Sequence, residues 1–455
     1  MADAKLQGNI SQSPDQQGQQ VQQEQKDISK HLESYGGFYA LKGFIPDAAD
    51  MNPAKKAAKN IFLSEQRFKE KRERLMNELN GWLEILSQDK TTASEYANAC
   101  KENEIKYKKI LNQGITDALE ATHELETSYR ALDAFFKNAG TDKVTNLKII
   151  NVKKEDIDDA DSGFSQTVDT LLKNAFDRLS LKDSYSLLVI PGYVFKDKPT
   201  MLKWAAIAFK YKVLLVTDHA NERTFDDMKE NTSSYKDSDQ VLQNLVVTAN
   251  WIVGRESEKL SFIEQDEVAF FVPPSGALAG KLYDDTNNMA QGAGGKKYGT
   301  LTDVKGVKLD MLKSEIAALW DNQVVPIVFS EGRVMAFNNT NLYNGDNDAM
   351  KEYPIVRVFD WIKKVLMNYV HEVALENWDP YNSPDNLKSK IQDFLNTYQG
   401  HGKLFHKYNI KEPKQDPITK RITVDVDITP YFAAKNFIIK LAADKSHKEC
   451  DIAEK

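Results

Sequence analysis

The chain has 455 residues, 41% of them hydrophobic and 28% charged, which is enough apolar material for large cores in two or more domains and too much for a disordered or fibrous protein. With 60 basic against 67 acidic residues the formal charge is −7, the wrong sign for a protein that neutralises nucleic-acid phosphates over its whole surface. Cys100 and Cys450 are too few and too far apart for a disulfide framework or a tetrahedral metal site, and no run of about 18 apolar residues could span a bilayer, so the expectation is a cytoplasmic protein in a reducing compartment.

Residues 1–26 are rich in Gln, Ser, Asn and Asp and lack the apolar residues that would offset ordering entropy. They read as a disordered arm, either a plain tail or a segment that folds onto a neighbour. Residues 27–140 form a helical region. Phe68, Leu75, Leu79, Trp82 and Leu86 fall on one helical stripe amid the charged run KEKRERL, and Tyr96, Ile105, Leu111, Ile115, Leu119 and Leu125 continue in a second segment that stops at Gly140. Glutamates interleave the basic residues, the mark of a solvated helix face.

The texture changes in residues 141–383. Short apolar runs at Leu147 to Val152, Leu187 to Ile190, Val213 to Val216, Leu245 to Val247, Val268 to Val272 and Val324 to Phe329 predict strands buried on both faces, covered by helices such as Pro199 to Phe209. A helix from Pro354 to Glu376 should turn Phe359, Ile362, Leu366, Tyr369 and Val373 inward. In residues 384–455 a second helix, with Ser383 as N-cap and Pro384 at its first position, should run to Tyr398 and stop at Gly400 and Gly402. Beyond it Ile422, Val424, Val426 and Ile428 alternate with Thr423, Asp425 and Asp427, and after Pro430 the pattern returns in Phe437, Ile439 and Leu441. This predicts a β-hairpin. Two strands alone are marginal in water, so strands from neighbouring chains are expected to complete it. The fold class is α/β in the broad, mixed α+β sense, and no internal repeat is visible.

The chemistry-bearing motifs fall short one by one. In AQGAGGKKYGT, Gly295 and Lys296 are followed by Lys297 where a phosphate-binding P-loop needs Ser or Thr, and Ala290 stands where its first Gly belongs, so the segment reads as a flexible surface loop. His371 and Glu372 begin a zinc-protease motif that Leu375 breaks, and His123 and Glu124 meet Thr127. Ser275 lacks the nucleophile-elbow glycines and reads as part of a rigid turn after a strand. Glu155, Asp156, Asp158, Asp159 and Asp161 do not fit a calcium loop and read as a solvated loop or helix start. No catalytic residue, metal ligand or cofactor site emerges.

Six blocks in order resemble a known family. His123 to Leu132 and Asn146 to Glu155 are similar to its "LE..WRGL" helix and "LNV..EE" strand, and Ser186 to Phe195 to its "LL.GDY.F" turn. Val272 to Gly280, Pro326 to Met335 and Pro354 to Trp361 resemble its "PPSG..AG", "GRG..VWG" and "INVRR" blocks. The family is the larger subunit of the contractile sheath of type VI secretion systems, related to phage tail sheath proteins. The likeness covers about residues 100–441, with departures: Tyr129 stands for Trp, Ala131 for Gly, Pro191 lies in the "GDY" turn, Met335 to Phe337 replace "VWG", and the "KAPAN" loop is not recognisable in Gly295 to Thr300.

The resemblance implies a cytoplasmic bacterial structural protein, not an enzyme, that pairs with a smaller sheath subunit and stacks as helical rings on a baseplate around an inner tube of hexamers. A ring-shaped AAA+ unfoldase would recycle the sheath. Ile422, Val424, Val426, Ile428, Phe437, Ile439 and Leu441 would carry the inter-subunit strand addition. Lys388, Lys390 and Asp393 would touch the inner tube, unless their helix is a plain packing element, and the short amphipathic segment Lys26 to Leu32 would be either a handle for the unfoldase or a dock for the smaller subunit. A phage-like or extracellular injection device, and an α/β nucleotide-binding enzyme, are the alternatives.

Overall fold

The computed structural model describes residues 61–88, 92–140, 144, 146–159, 163–178, 180–255, 270–284, 289–373, 378–379, 381–434, 438–442 and 449–453. The Gln-rich arm, the segment at 26–32 and Phe437 lie outside the described residues. The chain divides into two compact units, Met1–Ala118 and Leu119–Lys455.

In the first unit, helix α1 (Lys69–Leu86) is entered through a 3₁₀ turn at Gln66–Phe68. Arg72 ties that entry down by donating to the carbonyls of Phe62 at 2.6 Å and Glu65 at 2.8 Å. Of the expected stripe, Phe68, Leu75 and Leu79 are half-buried. Helix α2 (Ala93–Ala139) begins in this unit and continues past Ala118 into the second. It ends where Gly140 takes a φ of 77°, a left-handed cap that glycine adopts without a Cβ penalty.

In the second unit, α3 (Lys154–Asp158) and α4 (Gly163–Phe176) lead to strand β1 (Leu187–Ile190). Then come α5 (Lys198–Lys210), β2 (Leu214–Asp218), α6 (Phe225–Thr232) and β3 (Leu245–Ala249). Side chains start these helices: Asp197 accepts from the Thr200 amide at 2.8 Å with Pro199 in the first turn, and Thr224 accepts from the Asp227 amide at 3.2 Å. β4 (Ile252–Arg255) and β5 (Phe270–Val272) form a separate antiparallel pair, followed by α7 (Ser275–Tyr283), the short α8 (Gly295–Tyr298) and α9 (Lys313–Asp321). β6 (Val325–Ser330) turns through Glu331 and Gly332, both at positive φ as a tight hairpin requires, into β7 (Arg333–Ala336).

The main sheet has the order β1-β2-β3-β6-β7, parallel except for β7. The middle stretches of its strands are apolar because both faces are covered there. Leu215, Leu245 and Val247 pack with Trp204 of α5 on one side, and Leu214, Val216 and Val246 pack with Leu278 of α7 on the other. After the sheet come α10 (Tyr353–Val373) and α11 (Ser383–Tyr398). They are followed by the short strands β8 (Phe405–Ile410), β9 (Lys414–Gln415), β10 (Ile422–Thr423), β11 (Val426–Pro430), β12 (Ile438–Ala442) and β13 (Glu449–Ala453).

Five expectations are corrected. Leu147 to Val152 is not a strand: its backbone is irregular, Leu147, Ile149 and Ile150 are exposed, and only Val152 packs on the core. The Val268 to Val272 run contributes β5 to the side pair with β4, not to the main sheet. The Gly-rich segment is not a loose surface loop: Ala293 is buried, its amide donates to the Tyr353 hydroxyl at 3.0 Å, and a Cβ on Gly294 would strike Asn339. Ser383 is not the N-cap of α11 but its first residue, after Asn382. The expected C-terminal hairpin is three pairings instead: β10 pairs with β9, β11 with β8, Ile428 opposite Tyr408, and β12 with β13. β8 is the nearer partner because the chain returns on itself, with the Lys411 amide donating to the Asp425 carbonyl at 3.0 Å.

Candidate assembly surfaces

The C-terminal segment is built on α10. Leu387, Ile391 and Leu395, spaced four apart on α11, join Val358 and Ile362 of α10 and Phe405 and Ile410 of β8 in one apolar cluster, and Trp361 meets Tyr398 edge-on at 4.8 Å. Val424, Val426 and Ile428 pack against this same cluster. Their apolar face is therefore filled by their own chain, and what β8–β11 leaves open is main chain. β8–β11, β9–β10 and β12–β13 are each two-stranded, so among the described residues every one of these strands has an unpaired edge. Ile422 faces Gln415 in β10 and is 38% exposed, Ile439 lies opposite Ile452, and Leu441 lies opposite Cys450.

The outward face of α11 is polar. Lys390 and Asp393 are exposed, whereas Lys388 leans onto the Glu412 carboxylate at 2.9 Å. Of the three residues expected to share one contact, two are free for a partner and the third is engaged within the chain. Exposed apolar side chains mark further surface. In the first unit these are Ile105, Ile110 and Leu111 of α2, and in the second Leu125, Tyr129 and the stretch Leu147 to Ile150. The periodicity of α2 placed Ile105, Leu111 and Leu125 on a packing stripe. In the isolated chain that stripe is bare at these three positions.

The family-like blocks have structural causes. In α2, Glu126 holds Arg130 at 2.7 Å and Arg255 at 3.0 Å, and Arg130 also donates to the Gly254 carbonyl at 2.6 Å, which fastens the helix to β4. Burial pushes the Glu126 carboxyl up, but the guanidinium groups of Arg255 and Arg130 outweigh it and hold it below its ordinary value. The PPSG block turns at Pro273 and Pro274 into α7, where a Cβ on Gly276 or Gly280 would strike the carbonyls of Ala131 and Phe135. Those two glycines let α7 lie directly on α2.

Ser275 starts α7 beside Asp218, at the carboxyl ends of β1, β2 and β3, where open α/β sheets usually hold ligands. Here Asp218 is fully buried and accepts from the amides of Gly192 and Ser275, both at 2.8 Å, and from the hydroxyls of Thr248 and Ser275. Burial pushes its carboxyl above the ordinary range, against those four donors. Each carboxylate oxygen is spent on the protein itself, so the cluster fastens α7 and the Pro191–Gly192 turn to the sheet. His219 next to it shares its Nδ1 with the Tyr235 hydroxyl at 2.8 Å, and burial pushes its imidazole below its ordinary value. His123 lies exposed against the Phe270 ring at 5.0 Å. Among the described residues no cluster of His, Cys, Asp and Glu is arranged to hold a metal ion, and no helix is long and apolar enough to cross a membrane.

A sheath-like α/β unit with a tail of short, half-paired strands defines a structural subunit of a contractile sheath. The fold is similar to that of a chain in the six-fold-symmetrised cryo-EM structure of the anti-feeding prophage baseplate, at 16% identity and a TM-score of 0.50 over 69% of this chain and 80% of that one. A chain of the contracted anti-feeding prophage helical sheath (14% identity, 70% and 82% covered, TM-score 0.47) is also similar, as is one from the contracted PVC sheath complex of an extracellular contractile injection system (15%, 63% and 81%, 0.43). No curated protein matches the chain. Residues 25–115 match the TssC/VipB-like N-terminal region, 117–344 the type VI secretion system TssC/VipB central domain, and 352–454 the TssC/VipB-like C-terminal domain. The chain belongs to the TssC/VipB family of type VI secretion systems.

Proposed function

We propose that this sheath subunit coheres by strand addition, its C-terminal strands Ile422 to Ile428 and Phe437 to Leu441 being completed by strands of neighbouring chains, and that it works by repacking rather than by catalysis. The observation that carries this reading is the set of two-stranded sheets at the C-terminus, each with open main-chain edges. A few added backbone hydrogen bonds at about 0.5–1.5 kcal/mol each would give every link several kcal/mol while leaving the subunits free to rotate about their linkers. Contraction then draws on energy stored at assembly, released as interfaces move between two discrete arrangements. The finer partners are a smaller sheath subunit, copies of this chain, a baseplate and an inner tube of hexamers facing Lys390 and Asp393, with Lys388 beside them. A recycling unfoldase acts on the contracted form, and the site of assembly is the bacterial cytoplasm. The exposed apolar positions of α2 are the surface on which the smaller subunit packs.

The test is negative-stain microscopy of the chain co-expressed with its smaller partner. Deleting residues 433–455 removes β12–β13 but keeps β8–β11 and the cluster beneath it, so the core should stay folded while long tubules disappear. Normal tubules from that truncation overturn strand addition at β12. A cut after Lys420 also removes β11 and should abolish assembly altogether.

A further inference from the structure

The amino ends of β1 and β2 face α10 across a cavity of about 130 Å³, whose wall includes Tyr185, Lys212, Arg357, Asp360, Trp361 and Lys364. Three of these are cations and one is an anion. Asp360 is already committed: it accepts from the Asn244 amide at 2.6 Å and stands 3.9 Å from the Lys212 ammonium. Lys364 donates to the Tyr185 carbonyl at 2.7 Å, and Arg357 to the Leu282 carbonyl at 2.9 Å. Neither meets a carboxylate within ion-pair distance among the described residues. Two positive charges are thus left over around one partly open cavity, an arrangement that costs stability unless an anion offsets it.

We propose that this cavity is a binding site for a small tetrahedral oxyanion of the phosphate class. The volume is that of roughly four water molecules, which admits a phosphate or sulfate ion and is below the roughly 300 Å³ at which nucleotide-sized pockets begin. A dianion matches the excess charge. The guanidinium of Arg357 supplies a planar fork suited to two oxygens, and the two ammonium groups act as point charges on the others. Its place between α10 and the sheet makes the occupant a clamp on the helix that carries the C-terminal segment. Burial holds Lys364 down at about 8, with the Lys212 charge adding to it against Asp360, and it holds Arg357 down to about 10. The exposed Lys363 adds a further positive charge from the solvent side.

The probe is inorganic phosphate added to the purified full-length chain at constant ionic strength. At concentrations well above Kd, phosphate should raise Tm by about 3 °C over matched sodium chloride. Because anion binding lifts Lys364 above the buffer pH, calorimetry near pH 8 should record proton uptake. Lys364→Met and Lys212→Met, which keep most of each stem, should each weaken binding at least about tenfold, and Arg357→Lys should weaken it less than Arg357→Gln. The proposal is overturned if phosphate does no more than chloride, or if its effect is undiminished in the Lys212→Met/Lys364→Met double variant, which would place the ion elsewhere. It is also overturned if phosphate leaves the isolated chain unaffected while Lys364→Met impairs tubule formation, since the cavity would then receive a partner's carboxylate.

Discussion

The two ends of the main sheet handle buried charge in opposite ways. At the carboxyl ends of the strands one carboxylate, Asp218, meets four donors, two amides and two hydroxyls. At the amino ends three cations share one committed carboxylate and an open space of about 130 Å³. The usual ligand end of an α/β sheet has been closed by the chain's own groups, and the end that ordinarily serves only for packing keeps an unbalanced charge. The lesson is that a fold's habitual binding end is a prior about backbone geometry, and the side chains decide whether it is used.

The largest effect should come from breaking the closed end. Asp218→Ala strands the Gly192 and Ser275 amides and two hydroxyls without an acceptor, and should cost about 3–5 kcal/mol in denaturant unfolding, whereas Asp218→Asn keeps one acceptor oxygen and should cost less. A loss under about 1 kcal/mol for the alanine variant would mean that water replaces the carboxylate and that this end is not closed. Next is Gly280→Val, which drives a side chain into the Phe135 carbonyl and lifts α7 from α2, for about 2–3 kcal/mol. It tests whether the Asp218 cluster depends on how closely α7 lies on its neighbour.

The open end should answer with the opposite sign. Lys364 has a folded value of about 8 against 10.5 unfolded, so the unfolded chain holds more protons between those values and stability rises with pH through that window. Below it the charged ammonium is a cost. In phosphate-free buffer at pH 7, Lys364→Met should therefore stabilise the chain by about 1–2 kcal/mol and flatten the rise between pH 8 and 10.5. With phosphate present the gain should vanish.

Much of the sheet was legible because parallel strands covered on both faces are written as continuous β-branched runs, as in Leu187 to Ile190 and Leu245 to Val247. The same rule misread Leu147 to Val152, where Leu147, Ile149 and Ile150 are exposed in the single chain and so belong to a surface, and only Val152 reaches the core. β8 was missed because its apolar positions, Phe405, Tyr408 and Ile410, break the period of two, and without it Val426 and Ile428 had no partner except each other's neighbours downstream. β13 hides in Glu449 to Ala453, where polar and apolar residues share a five-residue strand. The PPSG and Arg357 blocks were visible as strings, yet their meaning was not: Gly276 and Gly280 act through contacts more than a hundred residues away in sequence, and the cation cluster joins Lys212, from the turn between α5 and β2, to Arg357 and Lys364 of α10. A local pattern cannot carry charge balance between segments so far apart in the chain.

The smallest and most discriminating test of the closed end is Thr248→Val, which keeps the shape and removes one hydroxyl that donates to Asp218. That donor favours the ionised carboxylate. Burial already sets the folded value of Asp218 above 3.8, so the folded chain holds more protons than the unfolded one above that point, and the cluster's contribution falls as pH rises through the folded value. Losing Thr248 as a donor moves that value further up. The variant should cost about 1 kcal/mol on the alkaline side of the folded value, where the carboxylate is charged, and less on its acid side, where a protonated Asp218 needs the hydroxyl least. A loss that does not change across a full pH titration of stability would show that Thr248 acts by packing alone, and that Asp218 owes its ionisation to the two amides and Ser275.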